Sequence, residues 1–199
     1  MTERRYRRPS FQEPAALEAL GERVDPIGQV HAAHESAAVL LHAGRAADDP
    51  EVTERLVALV DEIGLVTLAD LWAARPARSL PGALYRIYLL HQWMLGAPDE
   101  VAREYAAGVR FTEPHHVVAG ADPPGPDEVR QVADEILRGV FTGDFGLALE
   151  RAAAFCQVVV AGRTDLARGP GELVQAHRLH RVAHDLRLCA QDWRAGDLH

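Results

Sequence analysis

The stretch Ala152-Ala-Ala-Phe-Cys-Gln-Val-Val-Val-Ala161 decides the fold. Only Gln157 in it is polar, so a helix built from these residues is apolar on nearly every face. Such a helix belongs in the middle of a bundle and not on its surface. The predicted central helix covers 144–162, and everything else in the chain has to supply the apolar faces that surround it. Cys156 lies inside the run and reads as an inert buried thiol.

Outward from that centre the periodicity is helical almost throughout. Proline recurs where it suits a first helical position, with its missing N–H costing nothing and its φ already set. Asp25-Pro26, Asp49-Pro50, Ala97-Pro98, Gly125-Pro126 and Gly169-Pro170 all fit. Acidic residues follow four of these prolines (Glu51, Asp99 and Glu100, Asp127 and Glu128, Glu172), where they oppose the helix dipole. The predicted helices are 26–45, 50–63, 65–74, 80–95, 98–108, 126–141, 144–162 and 171–194, with a short one at 14–22. Strand signals are confined to Val109–Glu113 and His115–Val118, both broken by Pro114 or Gly120. The expectation is an all-α, single-domain bundle of about seven to eight helices over 14–199, preceded by a disordered basic head at 1–13.

Length and composition narrow the function classes. A chain of 199 residues with 48% hydrophobic residues can bury its own core without staples. Two cysteines read as free thiols in a reducing compartment, hence a cytoplasmic location. No run reaches 18 uncharged apolar residues, which argues against a membrane span. The net charge is −8, and all 21 basic residues are arginine. Residues 1–10 carry Arg4, Arg5, Arg7 and Arg8 against Glu3, so the rest of the chain is at −11. A body this acidic repels nucleic acid and anionic lipid. The head is the exception: its four arginines suit an acidic partner. Arg75, Arg78 and Arg86 flank a turn that imitates a helix-turn-helix, but the second helix opens Leu80-Pro-Gly-Ala-Leu84 with nothing to read a base edge.

Histidine is the informative side chain, with ten copies. His91 lies at the centre of the apolar stripe Leu80, Leu84, Ile87, Met94 and Leu95. His34 borders the stripe Val30, Ala33, Ala37, Leu41 and Gly44. Were those two helices to face one another, the imidazoles would converge on a haem iron or a metal; otherwise each is a hydrogen-bonded core histidine. His177, His180 and His184 share one face of the last helix, and His180-x-x-x-His184 has the spacing of a zinc pair. The apolar stripe of that helix (Leu179, Val182, Leu186, Cys189, Trp193) lies nearly opposite. The three imidazoles therefore read as a polar or interaction face, with a divalent metal such as zinc as the alternative. His31, Glu35 and His42 also share a face, but no Glu-x-x-His occurs, which removes the di-iron pattern. Glu113, His115 and His116 lie in the long connection without a nucleophile nearby in sequence.

The signatures of a phosphate loop, a dinucleotide fold, a nucleophile elbow, a C-x-x-C pair and an H-E-x-x-H site are all missing. The histidine triplet resembles the HxxxH-plus-histidine set of damage-inducible, YfiT-like helical bundles, and that resemblance implies a divalent-metal site. Arg75–Trp93, Val118–Val129 and Gly139–Glu150 resemble small helical proteins of actinobacterial type, over roughly residues 55–163. That resemblance implies an all-helical, cytoplasmic protein and assigns no site residue.

The reading that follows is a non-enzymatic regulatory protein working through protein–protein contacts. Its interaction surface is Arg4, Arg5, Arg7, Arg8, His177, His180 and His184, and it carries no cofactor. The alternative is a histidine-based divalent-metal or haem-binding bundle, which extends to a metal-dependent enzyme. Charge polarity supports contact between molecules, a second copy of the chain included. Residues 97–150 hold 11 acids against 4 arginines, whereas 163–199 hold 6 arginines against 5 acids.

Overall fold

The computed structural model describes residues 25–46, 70–112 and 125–199. The predicted helices at 14–22 and 50–63, the first half of 65–74, and the basic head with Arg4, Arg5, Arg7 and Arg8 lie outside them. Among the described residues every regular element is helical. They are α1 (Pro26–Ala46), a short turn of helix at 70–73, α2 (Leu80–Gly96), α3 (Pro98–Gly108) continuing into a 3-10 turn (Val109–Phe111), α4 (Pro126–Thr142), α5 (Phe145–Leu166) and α6 (Pro170–Ala195). The protein is all-α.

Helix starts follow local chemistry. α1, α3, α4 and α6 each begin at a proline. α5 is capped by Asp144, whose carboxylate accepts from Leu147 N–H at 3.1 Å. α2 is capped by Ser79, whose hydroxyl accepts from Gly82 N–H at 3.2 Å and donates to the Pro76 carbonyl at 2.9 Å. A Cβ on Gly82 would stand 2.0 Å from that same carbonyl, so this tight entry to α2 requires glycine. α6 ends at Gly196 with φ +79°, and Asp197 N–H reaches back to the Asp192 carbonyl. The chain then folds back: Leu198 is buried, and Leu80 N–H donates to the His199 carbonyl at 2.8 Å.

α5 is the central apolar helix, packed on α2, α3, α4 and α6. Phe145, Leu149, Phe155, Val158 and Val159 are all inaccessible to water. By length and composition α5 could cross a membrane, but 67% of its most apolar window is buried inside the fold. It meets α3 backbone to backbone at two glycines. A Cβ on Gly108 would lie 1.9 Å from the Val158 carbonyl, and one on Gly162 would lie 1.7 Å from the Glu104 carbonyl. The two backbones therefore touch, as small residues permit. Tyr105 and Phe155 stack beside them at 5.0 Å.

Two apolar stripes differ from their sequence expectation at the edges. Val30 is 41% exposed, so the buried face of α1 begins at Ala33 and runs through Ala37 and Leu41. On α2, Leu95 is exposed and Leu90 is buried, because the helix meets α4 through the Leu84–Ile87–Leu90–His91–Met94 face. The strand alternative at 109–111 is a 3-10 turn.

Candidate functional site

The α3–α5 backbone contact places Glu104 beside Arg163. Arg163 donates from Nε to Glu104 Oε1 at 2.9 Å and from Nη2 to Oε2 at 2.8 Å, a bidentate pair. Their side chains are only 14% and 7% exposed. The guanidinium also lies over the Trp93 ring, 5.2 Å from its centroid, and Glu100 Oε1 stands 3.8 Å from Nη2. This pair forms the floor of a cleft of about 710 Å³ between α3, the end of α5 and the start of α6, with Arg103, Arg168, Glu172 and Gln175 on its walls. Sequence reasoning missed it. The available signal was Arg163 itself, a charge two residues beyond an otherwise apolar run.

The last helix is two-sided. Ala176, Ala183, Leu186, Cys189 and Ala190 are buried against α5, whereas His177, His180 and His184 are all exposed. Arg178, Arg181 and Arg187 are exposed alongside them. The acids of this helix are drawn to its flank. Asp185 pairs with Arg86 of α2 at 3.3 Å, and Asp192 takes Arg78 in a two-oxygen grip at 2.8–3.0 Å. That carboxylate holds the Arg78 guanidinium above its ordinary range. Arg194 is neutralised by Glu150 of α5. What remains on the outward face between 177 and 187 is three imidazoles and three guanidiniums. Among the described residues, Arg178 and Arg181 make no ion pair, and Arg187 has a hydrogen bond with His184 at 3.3 Å but no carboxylate partner.

His91 and His34 take different surroundings. His91 is buried on α2, and its Nε2 lies 3.0 Å from Asp134 Oδ1 of α4. His34 is half-buried on α1, and His31, Glu35 and His42 are exposed there. Among the described residues, no group of three or more His, Cys, Asp or Glu side chains is gathered closely enough to hold a metal ion. Glu113, His115 and His116 lie outside the described residues.

Neither thiol is placed for nucleophilic work. Cys156 is wholly buried, and desolvation pushes it up to about 12. Cys189 rises to about 11 for the same reason, and its Sγ–H donates to the Ala77 carbonyl at 3.4 Å. Both stay protonated at neutral pH.

No family model, no curated protein and no solved structure matches the chain.

Proposed function

We propose that this chain is a non-enzymatic, regulatory, cytoplasmic protein that works by docking an acidic protein surface on the outward face of α6. One observation carries the reading: His177, Arg178, His180, Arg181, His184 and Arg187 all face solvent, while Asp185 and Asp192 of the same helix are turned aside into pairs with Arg86 and Arg78. The face is positive although the whole chain is at −8. Charge segregation of this kind steers an acidic partner and sets its orientation. Leu173 and Val174, each about half exposed, extend the face toward the start of α6 and supply apolar contact area.

The test is retention of the full chain on immobilised polyglutamate, compared with an Arg178→Gln/Arg181→Gln/Arg187→Gln variant. Retention that weakens with salt and is reduced in the variant supports the reading, since attraction between exposed charges is screened beyond about 8 Å at physiological ionic strength. Equal retention of the two proteins contradicts it. Stoichiometric zinc in protein purified without a tag would replace it with metal binding at His177, His180 and His184.

A further inference from the structure

We propose that the cleft between α3, the end of α5 and the start of α6 binds a small dianion of the dicarboxylate or phosphate class, held by the outer edge of Arg163, where Nη1 is not hydrogen-bonded among the described residues. A guanidinium carries five N–H donors in a fixed plane. Glu104 takes Nε and one proton of Nη2, which accounts for one edge. The other edge, formed by Nη1 and the second Nη2 proton, is a fork whose spacing matches two oxygens of a carboxylate or phosphate. Nη1 has no partner among the described residues, and the Trp93 ring beneath holds the guanidinium plane in place.

The walls carry both signs, Arg103, Arg163 and Arg168 against Glu100, Glu104 and Glu172, and the arginines differ from the acids in having free donors. Glu104 is consumed by Arg163. Glu172 accepts from Arg168 N–H at the start of α6. Glu100, half exposed, stands 3.8 Å from Nη2, so a dianion entering the fork takes the place of that longer ion pair. Arg103 and Arg168 are exposed on the same walls, and among the described residues neither guanidinium makes an ion pair. A second anionic group on the ligand meets one of them. The volume of about 710 Å³ lies within the range of small-molecule sites, and walls of Arg, Glu and Gln select a polar occupant. A buried Arg–Glu pair gives little stability over well-packed apolar residues. Its position at the floor of the cleft is accounted for if Glu104 serves to orient Arg163 for a ligand.

The experiment titrates the full chain with succinate and separately with inorganic phosphate, using chloride at matched ionic strength as the control. Calorimetry and tryptophan fluorescence are the readouts. One-site saturable binding of either dianion is expected, weakened at least about tenfold by Arg103→Gln/Arg168→Gln without change in the melting transition. Arg163→Lys, which keeps the charge but loses the fork, is expected to weaken it similarly. Saturation by succinate alone identifies the carboxylate class, and by phosphate alone the phosphate class. No saturable binding above the chloride control, or binding that the Arg103/Arg168 variant leaves unchanged, overturns the proposal. The Arg178/Arg181/Arg187 variant is expected to bind the dianion normally, so the cleft and the α6 face stand or fall separately.

Discussion

Gly162 of α5 lies directly on the backbone of Glu104 in α3, so close that a Cβ there would stand 1.7 Å from the Glu104 carbonyl oxygen. Gly108 makes the reciprocal approach to the Val158 carbonyl. Together they fix the distance between the two helices and with it the reach of Arg163 to Glu104.

Gly162→Ala is therefore expected to push α3 from α5. Backbone atoms, unlike a flexible side chain, cannot yield locally. The expected loss is about 3 kcal/mol, the upper end of overpacking costs, read as a lower urea midpoint. Gly171→Ala, within α6 at a position with open space, is the control and is expected to lose no stability.

The Arg163–Glu104 pair is expected to behave as a buried pair. Arg163→Met alone leaves a carboxylate 7% exposed with its partner removed and is expected to cost about 3–5 kcal/mol. Arg163→Met combined with Glu104→Leu is expected to recover most of that loss, because the uncompensated charge goes with its partner. Denaturation of both single variants and the double variant closes the cycle.

The thiols give a pH prediction. Both stand above the ordinary cysteine value of 9.0, at about 12 for Cys156 and about 11 for Cys189. The unfolded chain thus ionises first as pH rises. Above about pH 9 the native state holds more protons than the unfolded state, and stability falls with increasing pH until the folded values are passed. Cys156→Ala/Cys189→Ala is expected to flatten that alkaline decline in urea midpoints measured from pH 8 to pH 11. In the native protein at pH 8, both thiols are expected to react with a disulfide reagent far more slowly than in denaturant.

Much of the architecture was legible because its signals are local. The prolines at 26, 98, 126 and 170 mark helix starts, and the apolar run within α5 marks the centre. The division of α6 into a buried stripe and an outward histidine face follows from helical phase alone. The cleft was not legible. Its floor joins residues 59 positions apart, and the glycines that join them read in sequence as neutral or as helix breakers. Val30 and Leu95 went astray for a related reason: phase assigns a face to a residue but not where along the helix the neighbour ends.

Mapping a glutamate-rich peptide onto the full chain by amide chemical-shift perturbation tests the docking reading most directly. Shifts are expected on α6 between His177 and Arg187, diminishing with added salt and absent in the Arg178→Gln/Arg181→Gln/Arg187→Gln variant. Shifts confined to other helices, or the same α6 pattern persisting in the variant, would contradict it.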